Sequence, residues 1–316
     1  MTHSLSLRNV LVTGGKGFIG RSLVGALRRR GVATWTISRW PSGDPDGARE
    51  IALGEDGWDG SGLDRALETV APDCIVHLAG SAKGSAAELA AVNVGLMQSL
   101  LDALRRTGLR PRLVVAGSAA EYGAAIRDGE PVRETAVCAP LSVYGATKLA
   151  QTRAALAFAE STGASALVAR IFNPIGPGMP AHLALPDFAR QIWAMPEGGG
   201  TLRVGDIDVR RDMIDVAHVA TLLGALADDP HACGVVNLCS GRAVRLGDLV
   251  EMLIERSGRK VVIEIDRSRL RGNEPRTIVG SVDRLARLGH PPPPTDFPAV
   301  IARVCRSTEE SRAQAS

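Results

Sequence analysis

Three side chains in this sequence have the types and spacing for acid–base work on an oxygen. Tyr144 and Lys148 lie four apart in Tyr144-Gly145-Ala146-Thr147-Lys148, ahead of Ala150, Ala154, Leu156 and Phe158. That apolar spacing predicts a helix, so the phenol and the ammonium share a face. A tyrosine with its ordinary pKa of roughly 10 holds its proton too tightly to exchange it at neutral pH. A nearby ammonium favours the phenolate, and the hydroxyl then acts as acid or base toward a carbinol or carbonyl oxygen. Ser118, at the end of a neighbouring apolar strand, is placed to hold the same oxygen by a hydrogen bond. Tyr–Lys pairs at this spacing are common on solvated helices, so the chemistry depends on the surrounding elements.

The decisive element stands at the start. Arg8-Asn9-Val10-Leu11-Val12-Thr13 is a β-branched, apolar run that ends in Gly14, Gly17 and Gly20, and Leu23, Val24 and Leu27 follow at helical spacing before Arg28, Arg29 and Arg30. Strand, glycine turn and helix in this order form a dinucleotide site. The first glycine permits the turn, the second lets a pyrophosphate approach the backbone, and the third lets the helix pack close. The helix N-terminus, at Phe18 and Ile19, offers unpaired N–H groups and a positive dipole end. The next strand, 32–37, ends at Ser38-Arg39, with no acid before Asp44. An acid there would take ribose hydroxyls, whereas an arginine accommodates a 2′-phosphate, so Arg39 favours NADP(H) over NAD(H).

Residues 41–62 are rich in Gly, Asp, Pro and Ser and read as a surface connection, followed by a short helix at 63–70. The apolar strand 73–80 runs into small residues at Leu78, Ala79 and Gly80, as where a backbone passes a cofactor. His77 within it reads as a packed core histidine rather than a base. A long helix over 86–107 carries the polar Asn93 among Val92, Val94 and Leu96; strands follow at 112–117 and 166–172, the second closed by Asn173-Pro174-Ile175-Gly176. Strands alternating with helices predict an α/β fold of the Rossmann type, a doubly wound parallel sheet covered on both faces. Beyond Gly178 the alternation weakens: helices are read near 187–193, from 210 through 227, at 246–256 and at 283–288, with strands at 235–239 and 261–265. The expected division is a cofactor domain over 1–175 with 209–240 returning to it, a substrate region over 176–208 and 241–306, and a frayed tail at 307–316.

At 316 residues, 45% of them hydrophobic, the chain can bury a large core. No run of about eighteen apolar residues suggests a membrane span, and the polar start shows no signal peptide. The five dispersed cysteines suit reduced thiols in the cytoplasm, with no metal site. A net charge of +3 is too small and scattered for nucleic acid, though compatible with an anionic small substrate.

Together these motifs resemble the extended short-chain dehydrogenases/reductases acting on nucleotide sugars. The resemblance rests on the 13–20 glycine segment, Asp73 to Ala79, Ser118 four before Tyr122-Gly123, Pro140 with Tyr144 and Lys148, Arg170 to Gly178, Arg211-Asp212-Met213, and Asn237 to Gly241. It implies a Ser118, Tyr144 and Lys148 triad and hydride transfer at the nicotinamide. The implied cofactor contacts are Gly14, Gly17, Phe18, Ile19, Arg39, Leu78, Ala79 and Asn93, besides Tyr144 and Lys148. It also implies a C-terminal region gripping a nucleoside-diphosphate sugar through Ser118, Glu121, Asn173, Arg211 and Arg271, the arginines reaching the diphosphate. Arg271-Gly272-Asn273-Glu274 follows the family's Arg-Pro-x-Asp pattern only loosely. The 4,6-dehydratases carry an Asp-Glu pair where this chain has Ala119 and Ala120, and Glu121 one residue later points the other way. The expected activity is therefore reduction of a 4-keto-6-deoxyhexose, with 4-epimerisation on tightly bound NAD as the next reading, 4,6-dehydration after it and a non-catalytic NAD(P)-binding module as the last. A homodimer is the family expectation.

Overall fold

The computed structural model describes residues 7–40, 48–54, 57, 58, 60–270 and 275–315. Strand β1 (Asn9–Thr13) buries every residue after Asn9, as an apolar run must when helices cover both faces of its sheet. Helix α1 (Phe18–Arg29) lays Leu23, Val24 and Leu27 on one side and ends in Arg28 and Arg29, which suit the negative end of its dipole. Then come β2 (Ala33–Ser38) and β3 (Arg49–Ala52). The sequence reading expects only a surface connection over 41–62, yet β3 lies within it. Four residues are too few to show a period, and Ile51 alone packs on the core. Helix α2 (Ser61–Val70) leads to the fully buried β4 (Cys74–His77).

The expected 86–107 helix is α3 (Ala86–Leu89) and α4 (Leu96–Thr107), joined by a π-helical turn over Ala90–Gly95. Such turns reset the facing of a helix and recur at functional sites. This one carries Asn93, which is fully buried. β5 (Arg112–Ser118), the short β6 (Pro131–Val132), α5 (Val143–Thr162) and β7 (Ala166–Ile171) complete the first half.

The second half comprises β8 (Asn173–Ile175), α6 (Ala184–Ala194), β9 (Gly200–Val204), β10 (Arg210–Asp215), α7 (Val216–Asp228), β11 (Gly234–Leu238), β12 (Ala243–Arg245), α8 (Leu246–Ser257), β13 (Val261–Ile265), β14 (Thr277–Gly280), α9 (Asp283–Arg287) and α10 (Phe297–Ala315). Residues 210–215, read from sequence as a helix start, are a strand: Met213 to Asp215 pair with β8 and Arg210 to Asp212 with β12. The helix begins only at Val216, where Asp215 caps it by accepting from the Ala217 amide at 3.0 Å. Helix α10 continues past Ser307. Val300, Ile301 and Cys305 anchor α10 in a core, and Glu309 accepts from the Trp193 indole at 2.9 Å.

Seven parallel strands form the main sheet in the order β11-β7-β5-β4-β1-β2-β3. One apolar cluster packs α1 and α7 on one face, and a second packs α2, α4 and α5 on the other. The order reverses between β1 and β4, and in open α/β sheets ligands bind outside the carboxyl ends of strands at such a point. A smaller region with its own core gathers α6, α8 and α10 over β9, while β10 ties it to the main body through β8, β12 and β14. All five cysteines are free thiols. Among the described residues there is no metal-binding cluster and no helix long and apolar enough to cross a membrane.

Candidate active site

The three glycines do three different jobs. Gly14 has φ +70°, and a Cβ there would lie 2.7 Å from the Ala79 amide nitrogen and 2.8 Å from the Leu78 carbonyl carbon, so the ends of β1 and β4 meet only because it is glycine. A Cβ on Gly20 would fall 2.1 Å from the Gly14 oxygen, which makes close helix packing the reason for this glycine. Gly17 is different: a Cβ there would touch only the Gly14 oxygen, at 3.2 Å, and would otherwise project into open space. Gly17 also caps α1 without any side-chain hydrogen bond, and no acid lies in the first turn. The backbone around Phe18 and Ile19 therefore faces an anion seat without a competing carboxylate, which fits a dinucleotide pyrophosphate.

At the end of β2, Arg39 is exposed, with its guanidinium 5.9 Å from the Trp40 ring centre. Beside it lies a carboxylate that sequence reasoning missed. Glu50 of β3 accepts from Lys16 of the glycine turn at 2.5 Å and from the Ser38 hydroxyl. No spacing signal could have revealed it, because the parallel pairing of β2 with β3 brings it there.

Ser118 and Tyr144 meet where β5 ends against the first turn of α5. Burial pushes the Tyr144 phenol above its ordinary value, a hydrogen bond with Ser118 opposes the rise, and the Glu121 charge adds to it. The sequence reading expects Lys148 to lower the phenol, but the structure does not show that effect. The Lys148 ammonium is turned to the Gln151 side-chain oxygen Oε1 and lies 3.9 Å from where a Gly80 Cβ would sit, against the loop after β4. Burial lowers Lys148 itself to about 8, with the Glu121 charge working against the fall. Asn93 fixes this corner: its Oδ1 accepts from the Ser81 amide at 2.8 Å, while Nδ2 donates to the Ser81 carbonyl at 2.9 Å and to Thr147 Oγ1 at 3.0 Å. His77 is the core residue expected, wholly buried with Nδ1 2.9 Å from Thr13 Oγ1.

Glu121 is not on the substrate side, contrary to the expectation. It is fully buried behind Ser118. One oxygen accepts from the Ser118 amide at 2.8 Å, and the other from Thr152 Oγ1 and Arg170 Nε, both at 2.9 Å. Arg170 in turn lies 4.5 Å from the centre of the Tyr122 ring, whose hydroxyl donates to Asn237 at 2.5 Å. The physical reason is the single turn of 3-10 helix over Ala119–Glu121, which swings this carboxylate back to cap the Ser118 amide.

From Ser118 and Tyr144 a cleft of about 1050 Å³ opens between the main sheet and the smaller region, with Ala119 and Ala120 in its wall. Asn173 and Arg211 line it as expected. Asn173 Nδ2 donates to the Asp212 carbonyl at 2.9 Å, and Arg211 Nη1 to the carbonyls of Arg210, Arg276 and Pro275 at 2.9, 3.0 and 3.2 Å. Arg271 lies outside the described residues. Two cleft arginines were missed in sequence: Arg269, paired with Asp187 at 2.9 Å, and Arg276, paired with Asp206 at 3.3 Å. Their only sequence signal was closeness to the loose Arg271 motif. A smaller groove of about 340 Å³ between α1 and α7 shares none of these residues.

A dinucleotide turn at the switch point of a doubly wound sheet, with a Ser–Tyr–Lys set beside it, defines a short-chain dehydrogenase/reductase. Residues 10–239 match the model of the NAD dependent epimerase/dehydratase family, and the chain belongs to that family. It is 31% identical over 289 residues to GDP-6-deoxy-D-mannose reductase of Pseudomonas aeruginosa, covering 88% of this chain and 90% of that protein. It is 33% identical over 252 residues to dTDP-6-deoxy-L-talose 4-dehydrogenase (NAD(P)(+)) of Kitasatospora kifunensis, covering 79% of each. Identity to UDP-glucose 4-epimerase of Corynebacterium glutamicum is 27% over 312 residues, covering 92% of this chain and 93% of that one. Among solved structures it is similar to RMD from Pseudomonas aeruginosa complexed with NADPH, at TM-score 0.79 and 27% identity over 96% of this chain and 99% of that one. MoeE5 in complex with UDP-glucuronic acid and NAD has TM-score 0.81 and 28% identity, with the same coverage.

Proposed function

We propose that this protein reduces the C4 keto group of a nucleoside-diphosphate-linked 4-keto-6-deoxyhexose, with Tyr144 as proton donor. The observation that carries the reading is the Tyr144–Ser118 pair at the head of the cleft, where burial keeps the phenol protonated. A protonated phenol is the form a carbonyl needs when it gains a hydrogen at carbon and a proton at oxygen. The names of two relatives, a GDP-6-deoxy-D-mannose reductase and a dTDP-6-deoxy-L-talose 4-dehydrogenase, support the same chemistry.

The nicotinamide cofactor, when bound, supplies the hydride. Gly14, Gly17, Phe18 and Ile19 would hold its pyrophosphate, Leu78, Ala79 and Asn93 would flank its course, and Arg39 would stand at its adenosine end, favouring NADP(H). Ser118 holds the substrate oxygen by a hydrogen bond while Tyr144 delivers its proton there. The phenolate left behind regains its proton from solvent, while the Lys148 ammonium, turned to Gln151 against the loop after β4, would meet the cofactor. Arg211, with Arg269, Arg271 and Arg276, meets the diphosphate, a task for which planar guanidinium forks are suited. Dehydration lacks its acids: Ala119 and Ala120 stand in the cleft wall, and Glu121 is paired with Arg170.

The likeness to UDP-glucose 4-epimerase favours a second reading, in which the cofactor stays bound and is recycled. The test is to incubate the protein with GDP- and dTDP-4-keto-6-deoxyhexoses and either NADPH or NADH. One cofactor oxidised per sugar converted supports the reductase; conversion without net consumption supports the epimerase.

A further inference from the structure

The second strand of this sheet ends without an acid, but the fold supplies one from the third. Glu50 lies opposite Thr36 in the parallel pairing of β3 with β2, its side chain only 13% exposed. Its Oε1 accepts from Lys16, at 2.5 Å, and from the Ser38 hydroxyl. These donors come from the glycine turn and from the end of the second strand, the two elements that bracket the adenosine ribose of a dinucleotide. Arg39, the next residue after Ser38, is exposed at the same edge.

We propose that Glu50 is the residue that sets this protein's choice between NADH and NADPH, a role that rests on the cofactor site assigned above. With a plain ribose the Glu50–Lys16–Ser38 cluster stays intact, its ion pair neutral, and the carboxylate stands where a strand-two acid would present an acceptor to a 2′-hydroxyl. A 2′-phosphate brings negative charge beside a partly buried carboxylate, which opposes it. Lys16 then has to leave Glu50 to meet the phosphate, with Arg39 as the second cation. Arg39 and Lys16 thus make NADPH binding feasible, while Glu50 holds the preference back and keeps NADH as an accepted cofactor.

Direct binding of NADPH and NADH, without any sugar, separates this role from the identity of the substrate. Dissociation constants are measured by calorimetry for the wild type, Glu50→Gln and Lys16→Met. Glu50→Gln removes the opposing charge and releases Lys16, so the affinity ratio of NADPH to NADH rises roughly tenfold or more. Lys16→Met moves the ratio the other way. A ratio unchanged by Glu50→Gln, or shifts of both cofactors by the same factor in both variants, overturns the proposal. A wrong sugar assignment would leave these numbers untouched.

Discussion

The backbone amide of Ser118 donates to the buried Glu121 carboxylate at 2.8 Å, so the hydroxyl at the head of the cleft is held from behind by a residue that never reaches it. The same carboxylate neutralises Arg170, whose side chain is 5% exposed. Glu121→Gln leaves a buried guanidinium without its counter-charge, and breaking a buried pair in this way costs about 3–5 kcal/mol. Urea denaturation of the variant would show that loss. A variant as stable as the wild type would mean that the pair contributes nothing and that Ser118 is positioned by other means.

Tyr144→Phe removes the proton donor without changing the shape of the cofactor cleft. Turnover is expected to fall by on the order of 10²–10⁴ while cofactor affinity stays near the wild-type value. Ser118→Ala, which removes the hydroxyl that would hold the substrate oxygen and that bonds Tyr144 and the Ala120 amide, is expected to lower kcat about a hundredfold. Single-turnover kinetics with saturating cofactor tests both, and a Tyr144→Phe protein that retains full turnover would remove the phenol from the mechanism.

The two glycines flanking the pyrophosphate seat separate folding from binding. Gly14→Ala forces a residue with φ +70° to carry a Cβ 2.7 Å from the Ala79 amide, so strain on the order of 1–3 kcal/mol adds to the collision, and stability and cofactor binding fall together. Gly17→Ala meets only one atom, at 3.2 Å, so it is expected to fold like the wild type while its methyl blocks the approach of the phosphates. Thermal melts with and without cofactor distinguish the two. Equal destabilisation by both substitutions would contradict this division of roles.

His77 makes stability depend on acid. Burial, aided by the Lys148 charge, holds its imidazole down to about 3. In the unfolded chain it protonates near the ordinary value of about 6.5. Between those values the unfolded state binds a proton that the native state refuses, so this contribution is complete above about 6.5 and is lost at about 1.4 kcal/mol per pH unit as the pH falls toward 3. His77→Gln removes that slope, and urea midpoints between pH 7 and pH 4.5 should fall less steeply for the variant than for the wild type. Parallel slopes would show that His77 takes up its proton in the folded protein.

The cofactor half was legible because its signals are local. Gly14, Gly17 and Gly20 answer to turn and packing geometry within a few residues, and the strands around them are continuous apolar runs. The site residues Ser118 and Tyr144 were legible by motif, and the structure brings them together. What was hidden is non-local. Glu50 meets Lys16 only through strand pairing, and Arg276 meets Asp206 across a gap of 70 residues. The strand at 210–215 reads as helix in the sequence because Met213, Ile214 and Val216 have no clear period, and its partners β8, β12 and β14 come from three separate stretches of chain. Glu121 was assigned to the substrate because a capping turn of three residues leaves no trace in hydrophobic pattern.

The most direct measurement is the fate of the hydrogen itself. The protein is supplied with a nucleotide-linked 4-keto-6-deoxyhexose and with NADPH or NADH carrying deuterium at the transferable position, and the product is analysed by mass spectrometry and proton NMR. One deuterium at C4 of the sugar, with one cofactor oxidised for each product molecule, is the predicted result. Conversion of the sugar with no deuterium at C4 and no loss of reduced cofactor would contradict it.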